Sequence, residues 1–584
     1  LWAHLRLFLV NTPLFIGNSY LKNIFASRPI KSPMKVTLQQ ALLLLLLPVW
    51  GFSQPDYGDI IWKRRLGGSG TPSFEAFGDR PTALTVSGGF TYVAGYSNSN
   101  DGDFPGNRGE VDAWVVKLAR DGSVLWKYQF GGNAFETVRD ITVMPNGDVV
   151  VVGETFSSNL FGYRSFTDAF VLRLTPNGQE VYTKLINGTG LAETLNTSAF
   201  EYFQGVDTVG TELVAVGRTS NFYLNSVQDT WDTLSGSLDA WIHRLDASGN
   251  YRWHNRVFRN DTLKNLSQVA GAGGISAIIN RFNDVVHLNR GGYVAVGDAA
   301  FFGDSNVGDA YLARFDEAGD TVWTRLLGGA QGDDGLRIEE TSDGNVIVLM
   351  ERRKPKAGSL PEPDLWLAKI NTTSGSTMWQ RILGTGFVES PQDMVLVADT
   401  IVAVVGWQDV DEAGVATGYD GFLDRYDART GATIGSRRLF GASGKEDRAY
   451  SVSYDNQTDD YIIACGSIGT STFFPETKGE TDWWIIRMAG DNSAFQQWVS
   501  RADGQPGVAQ GEELRAWPNP ARGSLSLNRT DLDYVELYNL AGMRVQRWEG
   551  AGHRQLDLSG LGAGMYLLKA AKGSQSWNQK IVIQ

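Results

Sequence analysis

The chain of 584 residues holds one cysteine, Cys465, five histidines and 18 prolines. A single thiol excludes an intramolecular disulfide framework and any multi-cysteine metal site. So little proline beside 68 glycines excludes a collagen repeat or a low-complexity tract. Charged residues make up only 20% and hydrophobic residues 42%, too apolar a balance for intrinsic disorder. Basic charge is scarce as well: 52 Lys and Arg face 65 Asp and Glu, a net of −13. Residues 1–53 carry five basic residues (Arg6, Lys22, Arg28, Lys31, Lys35) and no acid, which leaves 47 against 65, a net of −18, for the rest. Such a surface repels phosphate backbones, so no nucleic-acid partner is expected. GxSxG, HExxH, GxxxxGKS and the Rossmann fingerprint are all missing. What is present is glycine together with 11% aromatic residues, 18 Trp among them. That is the profile of an all-β protein with many tight turns.

The N-terminus reads as an address. Met34-Lys35 precedes an apolar run through six leucines, Leu42 to Leu47, and then Gly51-Phe52-Ser53. A basic start, an apolar stretch of ~7–15 residues and a small-x-small exit describe a secretory signal peptide over residues 34–53. The run is too short for the ~20 apolar residues of a transmembrane anchor. Cleavage is expected between Ser53 and Gln54, and residues 1–33 read as an over-extended leader. No other segment approaches spanning length, so the mature chain is expected to have no transmembrane span.

One phrase recurs: an Asp, a small or apolar residue, an aromatic, alternating apolar positions, a turn and a second aromatic. It starts at Asp112, Asp168, Asp239, Asp309, Asp364, Asp420 and Asp482, at spacings of 56, 71, 70, 55, 56 and 62 residues. Four short β-type runs fit each unit; in the second unit they are 137–144, 149–155, 168–174 and 180–186. Asn146-Gly147 and Asn177-Gly178 suggest two-residue hairpin turns, in which both residues take positive φ. Seven units of four antiparallel strands predict a β-propeller. Stacked blades bury both sheet faces, which fits Val149-Val150-Val151-Val152. Trp126 precedes Gly131-Gly132 and Trp323 precedes Gly328-Gly329, at offsets of five and six; Trp62 precedes Gly67-Gly68 likewise. No first three strands stand before Trp62, and the seventh unit lacks a convincing fourth strand after Trp498. The N-terminal strand is therefore expected to complete the seventh blade over residues 54–505 and hide two sheet edges.

After a linker at 506–513 the pattern changes. Residues 514–584 read as a small antiparallel β-sandwich with Gly turns. They contain Trp517-Pro518-Asn519-Pro520, then Leu537-Tyr538-Asn539-Leu540-Ala541-Gly542-Met543, then Leu556-Asp557-Leu558-Ser559-Gly560-Leu561. Gly564-Met565-Tyr566-Leu567-Leu568-Lys569 and Lys580-Ile581-Val582-Ile583-Gln584 follow. This order resembles the type A C-terminal sorting domain of the Bacteroidetes type IX secretion system. Trp517 stands where the family often has Tyr. The resemblance implies sorting-motif roles for Pro518, Asn519, Pro520, Gly542, Gly564, Tyr566 and Lys580, and the type IX secretion machinery as a partner. It also implies export across the outer membrane, with the domain usually removed and the product attached to surface lipopolysaccharide or released. The repeats are similar to those of other proteins that carry this domain, a likeness of architecture only.

The residues that could carry chemistry have bland readings. A repeated Asp at a strand start fits a turn cap, since catalysis rarely needs seven equivalent groups. Trp126, Trp253, Trp323 and Trp379 read as packing between blades. His243 and His254 share one hairpin and, with Asp239 or Asp246, make a two-His metal site conceivable, but no further ligand is near in sequence. Cys465 reads as a buried small hydrophobe. The acidic loops 98–103 and 332–334 lack the Asp-x-Asp-x-Asp-Gly spacing of a calcium loop. Trp379 and Thr430-Gly431 resemble the tryptophan-docking repeats of quinone-dependent dehydrogenases, which are generally eight-bladed and often hold a vicinal cysteine pair that this chain lacks. No metal, cofactor or catalytic residue is assigned.

Extra length falls on one rim, in connections 187–200, 219–238 and 259–280, where binding tends to live on a rigid scaffold. Phe222, Tyr223 and Trp231 in 219–238 are aromatics able to stack on a sugar or a protein side chain. The expectation is an exported, monomeric, non-catalytic propeller that binds glycan or protein. The alternative is a secreted enzyme, a polysaccharide hydrolase or lyase or an oxidoreductase, which calls for clustered acids or histidines on that rim. A third option is a scaffold with a filled channel and no pocket.

Overall fold

The computed structural model describes residues 60–490 and 516–583, apart from 71–77, 161–166, 187–200, 220–223, 226–229, 232–238, 258–277, 302–307, 329–331, 355–361, 385–387, 410–417, 442–445, 469–472, 477, 528–529, 540–543, 551, 553, 563 and 573–574. Among these residues every regular element is a β-strand. Seven four-stranded antiparallel sheets occupy residues 60–490, beside a two-residue ladder of Leu224–Asn225 with Thr230–Trp231. Their first strands are Arg80–Ser87, Glu136–Val143, Glu201–Val209, Ile278–His287, Asp333–Glu340, Glu389–Val397 and Asp447–Asp455.

In the second sheet Glu136–Val143, Val149–Thr155, Asp168–Leu174 and Glu180–Ile186 follow one another in order, within one residue of the expected runs. Val149–Thr155 and Asp168–Leu174 are buried at every position, because a neighbouring sheet covers each face. The outermost strands alternate more: Val322 and Met378 stay exposed while Trp323 and Trp379 turn inward. In the seventh sheet Asp447–Asp455, Asp460–Ile468 and Thr481–Ala489 are joined by Ile60–Leu66. That strand pairs antiparallel with Thr481–Ala489, placing Trp62 beside Arg487 and Leu66 beside Trp483.

The hairpin turns differ from the expectation. Gly147 N–H donates to Met144 O and Met144 N–H to Asp148 O, so the loop is the three residues Pro145-Asn146-Gly147. Only Gly147 has positive φ, at 87°, and Gly178 repeats this at 78°. A type I turn followed by a left-handed glycine accounts for it, so Asn stays right-handed and Gly alone carries the conformational demand.

Within residues 60–490 the buried clusters join one sheet to the next. Phe130 and Tyr92 of the first sheet pack with Phe170 and Leu172 of the second; Trp366 of the fifth packs with Val294 and Leu312 of the fourth. A further cluster combines Leu66, Ile462, Trp483 and Ile485 of the seventh sheet with Leu84, Val93, Phe104 and Trp114 of the first. The outer-strand tryptophans fasten these layers. Trp126 Nε1–H donates to Pro176 O at 3.1 Å, Trp323 to Thr372 O at 2.9 Å and Trp62 to Arg120 O at 2.8 Å. Their rings, with those of Trp253 and Trp379, lie against turn glycines of the neighbouring sheet, namely Gly178, Gly375, Gly122, Gly319 and Gly431. The packing role read from recurrence is what these contacts perform.

Residues 516–583 form a seven-stranded set with a core of Leu525, Leu527, Val535, Leu537, Leu556, Leu568 and Ile581. It departs from a purely antiparallel sandwich. Ala516–Arg522 pairs antiparallel with Ser524–Leu527 and parallel with Gln575–Ile583 through Ala521 and Ile583, so one strand serves two ladders.

Candidate functional site

Every first strand carries a β-bulge at the same register. The extra residues are Thr82, Arg139, Gln204, Asn283, Leu336, Gln392 and Tyr450. In five sheets a glycine stands opposite, Gly95, Gly153, Gly217, Gly297 or Gly406. A Cβ at any of them would fall 1.9–2.2 Å from a carbonyl oxygen of the first strand. Only glycine lets the backbones approach so closely, and the bulge then re-aims one side chain.

All seven bulged residues line one cavity of about 220 Å³. Arg80, Arg281 and Arg337 join Arg139 there, and the lining contains no carboxylate. In a chain of net charge −13 this is a local reversal of sign. Each guanidinium is held in place. Arg139 pairs with Glu154 at 2.5 Å, Arg281 with Asp298 at 2.5 Å and Arg337 with Asp393 at 2.9 Å. Arg80 lies 4.1 Å over the Tyr450 ring. Burial opposes charge on Arg281 and Arg337, but Asp298 and Asp393 more than compensate and raise both pKa values. Gln204, Asn283, Gln392 and Thr82 add neutral donors and acceptors.

Further along the same strands lies an acidic cavity of about 240 Å³, lined by Asp140, Asp207, Asp284, Glu339 and Asp393; Arg337 borders both cavities. These carboxylates clasp neighbouring sheets. Asp140 accepts Val206 N–H at 2.8 Å, Asp207 accepts His287 N–H at 2.8 Å and Asp284 accepts Ile338 N–H at 2.9 Å. Asp393 accepts Val452 N–H at 2.9 Å and the Ser451 hydroxyl at 2.6 Å. Leu84 N–H donates to Ser451 Oγ at 3.1 Å. Burial drives Asp284 up to about 8 and Asp140 up to about 6, against the attraction of Arg337. Burial, reinforced by Asp284, Asp207 and Asp393, drives Glu339 up to about 8.

The residues singled out in the sequence lie elsewhere. Phe222 and Tyr223 are outside the described residues, as are Ser53, Gln54 and Gly542. Trp231 pairs with Leu224 in the two-residue ladder. Pro518, Asn519 and Pro520 belong to strand Ala516–Arg522, and Gly564, Tyr566 and Lys580 to the paired strands Gly564–Lys572 and Gln575–Ile583. The repeated Asp residues line neither cavity. Asp112 accepts Arg108 N–H at 2.8 Å and Asp482 accepts Lys478 N–H at 2.9 Å, the turn-capping role expected of them. Their carboxylates also crowd Gly131 and Gly67, where a Cβ would fall 2.0 and 1.6 Å away.

His243 and His254 stack with ring centroids 5.3 Å apart. Cys465 is buried in the core and burial pushes its thiol pKa well up. In the 98–103 loop Asp101 accepts Ser69 N–H at 2.6 Å and Asp103 pairs with Lys478 at 3.1 Å. Among the described residues no group of three His, Cys, Asp or Glu is placed to hold a metal ion, and no helix is long and apolar enough to cross a membrane. The bulged residues carry no sequence signature of their own, because no one residue type is common to the seven. For five of the seven the signal is the opposing glycine in Val93-Ala94-Gly95, Val151-Val152-Gly153, Ala215-Val216-Gly217, Ala295-Val296-Gly297 and Val404-Val405-Gly406.

The class that these features define is an all-β chain of repeated four-stranded sheets ending in an export tail. In particular, residues 515–584 match the family model of the secretion system C-terminal sorting domain, which indicates type IX secretion to the cell surface or extracellular space. No curated protein matches the chain. Among solved structures it is similar to polysaccharide lyase Uly1, at 10% identity and TM-score 0.43, over 73% of this chain and 99% of that one. It is similar to a polysaccharide lyase described as an ulvan lyase, at 9% identity and TM-score 0.44, over 73% and 97%. It is also similar to the β-propeller domain of the Trilobed protease from Pyrococcus furiosus, at 8% identity and TM-score 0.35, over 69% and 92%.

Proposed function

We propose that the chain is an exported, monomeric seven-bladed β-propeller, residues 54–505, closed by strand Ile60–Leu66, that binds a glycan or protein ligand without catalysis at the arginine-lined cavity. A signal peptide over 34–53, cleaved between Ser53 and Gln54, starts export, and the sorting domain over 514–584 completes it through the type IX machinery. The linker is 506–513 and the leader 1–33. One observation supports the site above all: a single cavity takes one bulged side chain from each of the seven first strands. A ligand there meets the whole ring on its axis. Connections 187–200, 219–238 and 259–280 are proposed to extend the contact surface, through Phe222, Tyr223 and Trp231 of 219–238.

The test is a glycan and protein array probed with the full chain and with Thr82→Trp, which fills the cavity from a bulged position. Binding that Thr82→Trp abolishes, with an unchanged melting curve, supports the site; binding indifferent to it refutes the site. A second reading, an enzyme, is favoured by the raised carboxylates of the acidic cavity, since proton transfer near neutral pH needs such groups. Turnover of an array ligand that Asp284→Asn abolishes would decide for it.

A further inference from the structure

The ligand chemistry can be narrowed, on the reading that the arginine cavity is the binding site. Four arginines and no acid line it, in a chain whose net charge is −13. Glu154 and Asp298 grip Arg139 and Arg281 from the second strands, so the guanidinium planes are held before any ligand arrives. Planar, fixed guanidinium groups match carboxylate or sulfate oxygens. Gln204, Asn283 and Gln392 each offer a donor and an acceptor, the complement of hydroxyl groups. Only Val138, Leu336 and Pro391 of the twelve lining residues are aliphatic, and Arg80 covers a face of the Tyr450 ring, so the cavity offers little apolar surface to a peptide segment. Its volume of about 220 Å³ falls below the ~300–1,000 Å³ of sites for drug-sized ligands, room for one sugar ring. The acidic cavity beyond Arg337 opposes passage of an anionic chain.

We infer that the arginine cavity captures the terminal residue of an acidic polysaccharide, a sugar bearing a carboxylate or a sulfate ester. An end unit enters; an internal unit would have to thread past Arg337.

Calorimetry on the full chain tests this with galacturonate, its dimer and tetramer, glucose 6-sulfate, glucose and hexaglutamate. Binding of galacturonate or of glucose 6-sulfate, with glucose at least tenfold weaker, is expected, and comparing the two acids identifies the anionic group. The monomer, dimer and tetramer should bind within a few-fold of one another. Arg139→Gln should weaken the acidic sugar about 10- to 100-fold, the loss of one charge-assisted hydrogen-bonding group, and raised salt should weaken it further. If Arg139→Gln does not fold, Arg139→Lys and Thr82→Trp take its place, with partial and complete loss expected. Equal binding of glucose, preference for hexaglutamate, or affinity that climbs tenfold or more from monomer to tetramer would overturn the inference. If no acidic sugar binds but an array ligand is lost in Thr82→Trp, the ligand class is wrong and the site stands. If no array ligand responds to Thr82→Trp, the site itself is wrong.

Discussion

The proposed closure of the ring by strand Ile60–Leu66 makes replacing Trp62 with Ala a direct perturbation. Its indole is half-buried against the cluster shared by the seventh and first sheets, donates to Arg120 O at 2.8 Å and lies against Gly122. A buried Trp removes ~150–250 Å² from water, so half of that at ~25 cal/mol/Å² contributes about 2.5 kcal/mol. The hydrogen bond adds about 1 kcal/mol. The expected loss is therefore about 3.5 kcal/mol, roughly three hundredfold in the opening equilibrium. Trp323 makes the same contacts, with Thr372 O at 2.9 Å and with Gly375, inside the run of sheets and serves as the internal standard. Denaturant midpoints should fall by similar amounts in the two variants. Hydrogen exchange should also quicken in Thr481–Ala489, whose outer edge pairs with Ile60–Leu66. If Trp62→Ala leaves midpoint and exchange unchanged while Trp323→Ala lowers the midpoint, the strand is an appendage and not a clasp.

Three further outcomes are expected. Burial and the neighbouring Asp447 carry the Asp420 carboxyl up to about 7, and burial carries Asp482 up to about 6. The folded chain then holds protons that the unfolded chain has released near pH 4, so stability should fall as pH rises from ~4 to ~7. Asp420→Asn should flatten that decline in melting temperature; an unchanged slope would count against it. Gly297→Ala should cost about 3 kcal/mol or more, since its Cβ would lie 1.9 Å from Arg281 O, a backbone atom that cannot swing aside; a midpoint like that of the parent would show that the bulge yields. Deleting 515–584 should leave the product inside the cell envelope on fractionation, and release of the truncated chain would contradict the sorting role.

Much of the architecture was legible because local chemistry repeats. An Asp near the start of each third strand, an aromatic in the outer strand and a turn glycine recur; the Asp marks a contact within its own sheet, and the aromatic and the turn glycine mark one between neighbouring sheets. The hairpins show the limit of local reading: Asn146-Gly147 located the turn but not its length, because type I geometry with a left-handed glycine uses the same pair one residue later. Loop length in the sequence points to Phe222, Tyr223 and Trp231 as the binding aromatics. The cavity found among the described residues is instead built from strand bulges whose occupants range from Thr82 to Tyr450.

The linear order of residues was enough to set strand content, the repeating unit and the export tail, because each depends on contacts or motifs spanning a few tens of residues. Only the folded arrangement decided where charge gathers. Arg80, Arg139, Arg281 and Arg337 are up to 257 residues apart and look unremarkable singly. The same bulge, repeated on successive sheets, turns their strands toward one space, and electrostatic and hydrogen-bonding chemistry there depends on distance through that space and not along the chain.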